Sequence, residues 1–98
     1  MSEIIEKFYT NNNIPKVILD QKIKMFDKHK DIAAEFEKWI TTQKYVIDDA
    51  VTVEGYTAKR LAETSDYLNG EGAFVILVEL RENPKKALEQ IAKGVKRK

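Results

Sequence analysis

The sequence has no cysteine and a single histidine in 98 residues. Without cysteine it can build neither a disulfide framework nor a thiolate-ligated zinc site. A serine nucleophile needs an adjacent base, usually a histidine, and His29 is the only one. The longest apolar run is Ala73 to Val78, far short of the roughly 20 residues of a spanning helix. The opening residues Met1-Ser2-Glu3-Ile4-Ile5-Glu6 lack a basic stretch followed by a long apolar one, so no secretory signal is expected and the cytoplasm is the expected compartment. Charge of one sign is lacking too. Seventeen Lys and Arg against sixteen Asp and Glu give a net +1, which argues against a strongly basic nucleic-acid binder.

What is present is an ordinary folding composition. Hydrophobic residues make up 43% and charged residues 34%, too apolar for a disordered chain. The length suits one domain, residues 1–98. Residues 1–54 carry a net −2 and residues 55–98 a net +3, and the excess is concentrated in Lys93, Lys96, Arg97 and Lys98. Residues 93–98 therefore read as a basic, frayed tail, and Lys96, Arg97 and Lys98 are candidate contacts for an acidic partner.

Periodicity organises the rest. Ile4, Ile5, Phe8 and Tyr9 form one stripe of a short helix that Ser2 can cap and that stops at Asn11-Asn12-Asn13. A second helix is expected from about Pro15 to Lys28, with Leu19, Ile23 and Phe26 as its stripe and Ile18 and Met25 beside it. His29-Lys30-Asp31 reads as a break, with Asp31 capping a third helix that presents Ile32, Phe36, Trp39 and Ile40. The alternative is one continuous helix over 15–42, since neither Gly nor Pro intervenes from 16 onward. Residues 43–56 are β-branched and suit an extended linker or a tiny strand. Thr57 is placed to cap a fourth helix with Ala58, Leu61 and Ala62 facing inward. Asn69-Gly70-Glu71-Gly72 precedes the apolar run 73–80, which suits a buried helix or a buried strand equally by periodicity. Asn83, Pro84 and Gly94 punctuate a last helix with Ala87, Leu88, Ile91, Ala92 and Val95 on its apolar face.

The expected fold is all-α, with five to six short helices around a central apolar helix at 73–80, packed by Phe36, Trp39, Leu61, Leu88 and Ile91. The alternative is α+β, with a small two- or three-strand sheet from residues 45–53 and 73–80.

No constellation in the sequence carries catalysis. The serines, Ser2 and Ser65, show no nucleophile-elbow pattern. Asp27, His29 and Asp31 alternate and could gather round a cation at a helix break, but the same residues serve as a helix end and the next cap. Gly70-Glu71-Gly72 lacks the Lys and Ser/Thr of a P-loop, and Glu71 would repel a phosphate. Glu79 lies inside the most apolar run and is expected on a solvent-facing strip. Tyr56 to Glu63 looks like the opening helix of a helix-turn-helix, yet the run that follows lacks the polar side that reads base edges.

The stretch Val51-Thr52-Val53-Glu54-Gly55-Tyr56-Thr57-Ala58-Lys59-Arg60-Leu61, with Gly72-Ala73-Phe74, Leu80-Arg81-Glu82-Asn83-Pro84 and Ala87-Leu88, resembles small uncharacterised bacterial proteins of low-GC Gram-positive genomes and their mobile elements. The resemblance implies a compact domain and brings no activity, ligand or catalytic residue. The expected function is that of a non-enzymatic interaction or regulatory module with no metal and no cofactor. Its expected partner is a protein or a second copy of itself, met through Ile4, Ile5, Phe8 and Tyr9 and through the basic tail. Helix-turn-helix-like DNA binding is the runner-up, and no membrane span is expected.

Overall fold

The structure, a computed structural model, describes residues 3–44, 51–64 and 70–94. These form six helices: α1 (Glu3–Asn11), α2 (Lys16–Asp27), α3 (Lys30–Thr42), α4 (Ala58–Thr64), α5 (Glu71–Glu82) and α6 (Pro84–Gly94). Among the described residues the only β pairing is an isolated bridge between Val53 and Tyr56. The all-α reading holds, and the run 73–80 is helical.

Local chemistry explains the boundaries. At the end of α1 the Asn12 side chain donates to the Phe8 carbonyl at 2.6 Å, and Asn13 turns the chain with φ +61°. Asparagine tolerates that left-handed conformation better than most residues. Pro15 stands just before α2 as its cap, with φ −57° and ψ 145°, rather than at the first helical position. Helices α2 and α3 are separate. His29 breaks them with φ −130° and occupies the cap position of α3. This corrects the expectation for Asp31, which lies in the first turn of α3 and sends its carboxylate to Arg81 instead. Thr57 does cap α4, its Oγ1 accepting from the Arg60 amide at 3.1 Å. Just upstream, Glu54 and Gly55 both have positive φ, as the two-residue turn of the Val53–Tyr56 bridge requires. Asn69 lies outside the described residues, and the cap of α5 is Gly70 with φ +62°.

Helix α5 sits at the centre. It packs on α3, α4 and α6, while α1, α2 and α3 pack on one another. Two three-helix groups therefore meet along the α3–α5 seam. Ala73, Phe74, Ile76, Leu77, Val78 and Leu80 are all buried. Three β-branched residues (Val75, Ile76 and Val78) lower the intrinsic helix propensity of this segment, but burial of the whole run outweighs that small cost.

The seam is aromatic. Phe36 is fully buried, and its ring lies 5.0 Å from Phe26, 5.1 Å from Phe74, 5.5 Å from Phe8, and 6.0 Å from both Tyr9 and Trp39, centroid to centroid. One side chain thus joins α1, α2, α3 and α5. Trp39 is only half-buried, at the edge of this cluster, and lies against Gly70. Leu88 departs from expectation as well. It is 40% exposed, and α6 meets α5 through Ala87 and Ile91. Leu88 follows the buried Ala87 by about 100° around the helix axis, which turns it outward. Ala92 is exposed, and Ser65 and Val95 lie outside the described residues.

Two substitutions test the seam. Phe36→Ala should lower unfolding free energy by about 3–5 kcal/mol, with Trp39→Ala costing less, as read from urea titrations. Gly70→Ala should cost about 1–3 kcal/mol, because an alanine there takes a positive φ and sets its Cβ 3.3 Å from the Trp39 ring; an unchanged thermal midpoint would contradict this account.

Candidate functional site

The structure divides the residues proposed from sequence as partner contacts. Ile5 and Tyr9 are almost fully buried within this chain's own core, and Phe8 packs partly buried against Phe36 and Trp39. Only Ile4 of that stripe stands out, at 39% exposure. Helix α1 therefore folds back on its own domain, and its stripe is not a free surface. Lys96, Arg97 and Lys98 lie outside the described residues.

Exposed apolar surface gathers instead at the start of α2. Val17 is 66% exposed and Ile18 41%. Ile14 is half-buried and Pro15 exposed just before them. The cause is helical geometry: Leu19, Ile23 and Phe26 take the inward face, and Val17, two residues from Leu19, is turned some 200° around the axis. A shallow groove of about 350 Å³ runs between α1 and α2, lined by neither Val17 nor Ile18. Its floor is Ile14, Leu19 and Ile23; Glu6, Lys16 and Asp20 stand along it. Ile18, expected beside the core stripe, is exposed, and Val17 falls off that stripe altogether. The signal available was the stripe itself, which leaves Val17 no place inside.

Polar groups cluster at both ends of the seam. At one end, His29 Nε2 lies 2.8 Å from Glu82 Oε2. An ionised carboxylate only accepts, so Nε2 carries the proton and donates. The neighbouring Arg81 reaches across to Asp31 with both terminal nitrogens, Nη1 to Oδ1 at 2.7 Å and Nη2 to Oδ2. This two-pronged pairing holds the Asp31 carboxyl at about 2, below its usual value, chiefly through the hydrogen bonds from Arg81. Asp27, His29 and Asp31 thus serve the α2–α3 break and the end of α5. Among the described residues no group of three His, Asp or Glu is arranged to hold a metal ion.

At the other end, Lys22 donates to Glu71 at 2.8 Å and lies over the Tyr9 ring, 5.2 Å from its centroid. Burial, together with the Glu71 carboxylate beside it, raises the Tyr9 hydroxyl well above the ordinary phenol range. That hydroxyl makes no hydrogen bond of regular geometry, so its relation to Glu71 is one of charge rather than of a formed bond. Glu71 is thus committed to Lys22 at the first turn of α5, where a carboxylate also suits the helix dipole. Two further acids are enclosed. Glu35 is buried, with Oε1 accepting from Lys38 at 3.3 Å and Oε2 unpartnered. Glu79, expected to face water, is half-buried with Oε2 closed off and unpartnered.

Helix α5 follows α4 and is the element expected to read base edges in a helix-turn-helix. Six of its side chains are buried, and α3, α4 and α6 cover it. Comparison with protein-family models, with curated proteins and with solved structures finds no match.

The Asp31–Arg81 pair sets a pH dependence. A carboxyl held low when folded adds stability that is present above its unfolded value, near 3.8, and is lost as pH falls through about 2. Asp31→Asn should therefore be less stable than the parent near neutral pH, and the gap should close towards pH of about 2. Urea midpoints at the two conditions check this; a gap independent of pH would contradict it.

Proposed function

We propose that the protein is a small non-enzymatic interaction module whose contact surface is the outer side of α2 around Val17 and Ile18. The observation that carries this reading is Val17, a large apolar side chain left mostly exposed, with Ile18 exposed next to it at the start of α2. Single exposed apolar residues are common on protein surfaces. Large apolar side chains exposed side by side are the arrangement that interfaces use. The remaining large side chains in the described helices are largely spent on the core, so the module offers a rigid scaffold with one apolar face.

A helix-turn-helix mode of DNA binding finds less support. It needs an exposed, polar second helix in the major groove, and α5 is the most enclosed element of the fold. Binding through α4 and α5 would require unpacking the core.

Photo-crosslinking in the cell of origin tests the interaction reading. A benzophenone side chain placed at the exposed Gln21, on the same side of α2 as Val17, should give a discrete adduct that disappears when Val17→Asp is added. The same probe at Glu89, exposed on α6, should give none. No adduct at 21, or one indifferent to Val17→Asp, would overturn the proposal.

A further inference from the structure

We propose that the outward face of α6 is a docking surface for an anionic lipid bilayer. It lies on a different helix from the α2 surface above and stands independently of it. Charge in this chain is segregated. Residues 84–98 carry Lys85, Lys86, Lys93, Lys96, Arg97 and Lys98 against one acid, Glu89, a net +5, which leaves residues 1–83 with a net −4. Half of those cations stand on α6 itself. Lys85, Lys86 and Lys93 are exposed, and none is in an ion pair among the described residues.

Helical geometry sets these cations on one side. Ala87 and Ile91 are buried, and α6 packs on α5. At about 100° per residue, Glu89 then points directly away from the core, Lys85 and Lys93 flank it about 40° to either side, and Lys86 lies about 20° beyond Lys93. Leu88, 40% exposed, and the exposed Ala92 form a narrow apolar border on the Lys85 side. Clusters of about four to eight Lys and Arg on an amphipathic helix are drawn to anionic headgroups, and a leucine beside them adds shallow contact with the acyl boundary. The acidic remainder of the chain is repelled by the same surface, which orients the molecule with α6 towards it. Glu89 decides between polyanions. Phosphates fixed along a nucleic-acid backbone cannot avoid it, whereas lipids diffuse laterally, so charged headgroups gather at the lysines and neutral ones stay at Glu89. The apolar border likewise has no partner on a phosphate backbone. An acidic protein would need its charges in register with lysines spread over about two turns and about 100° of arc; a fluid surface needs no register.

Co-sedimentation of the full chain with vesicles tests the proposal. At about 50 mM salt the chain should partition onto vesicles of equal phosphatidylglycerol and phosphatidylcholine and not onto phosphatidylcholine alone, and about 500 mM salt should release it. Lys85→Gln, Lys86→Gln and Lys93→Gln combined should weaken the partition at least about tenfold, with helical circular dichroism unchanged because all three side chains are exposed. The same change at Lys7, Lys16 and Lys24, exposed on α1 and α2, removes equal charge from other faces and should have less than about a twofold effect. No partition onto anionic vesicles at low salt, equal partition onto neutral ones, or equal losses from the two triple variants would overturn the proposal. Retention by a random-sequence DNA duplex while vesicles stay free would assign the face to nucleic acid and overturn it too. A discrete protein adduct at Glu89 in the crosslinking experiment above, where a bilayer leaves none, would assign the face to a protein with the same result. Failure of the Gln21 crosslink bears on the α2 surface alone.

Discussion

The stack of rings around Phe36 is the contact on which the arrangement depends. Four helices reach it, and its ring packs against five aromatic neighbours. Each aromatic pair adds about 0.5–1.5 kcal/mol beyond the area it buries, so the cluster holds the two three-helix groups together more firmly than the polar contacts at either end. The His29–Glu82 and Arg81–Asp31 pairs and the Lys22–Glu71 pair are partly exposed. Exposed pairs of this kind contribute little to stability. Their effect is geometric: they fix where α5 begins and ends relative to α2 and α3, and so keep the ring cluster in register.

This division explains how much of the molecule could be read beforehand. The helices were legible because Leu19, Ile23 and Phe26, or Ile32 and Phe36, recur at the helical period, and because Asn11–Asn13, Thr57, Pro84 and Gly94 punctuate them. The choice of helix for 73–80 was less legible, since a uniformly apolar run has no period. It is decided by what surrounds it: α3, α4 and α6 offer three faces to cover it, and among the described residues the extended segment forms a single bridge. Long-range pairings were not legible at all. Asp31 has the chemistry of a cap, and only the position of Arg81, fifty residues away, diverts it. Leu88 fits an amphipathic stripe, and only the choice of Ala87 and Ile91 as the face set against α5 turns it outward.

The candidate surface was hidden for a related reason. Reading α1 as a stripe of Ile4, Ile5, Phe8 and Tyr9 identifies an apolar face correctly but cannot say what covers it. In the fold, α1 covers itself against α2 and α3, and the unmet apolar surface moves to α2, whose stripe is saturated by three residues. Val17 is left over. The enclosed Glu35 and Glu79 oxygens are a second kind of residue that pattern cannot reveal, because a carboxylate on a helix surface and one half-covered by a neighbour look alike in sequence.

Trp39 gives the seam a further property. It is the only tryptophan in the chain, and it stands half-buried where α3, α5 and α1 meet, its ring against Phe8, Phe36, Phe74 and Gly70. Its emission therefore originates from one place in the molecule, the junction of the two helix groups. The protein carries an intrinsic optical probe at that junction, and separation of the two groups can be followed in wavelength and intensity without any label, independently of helix content.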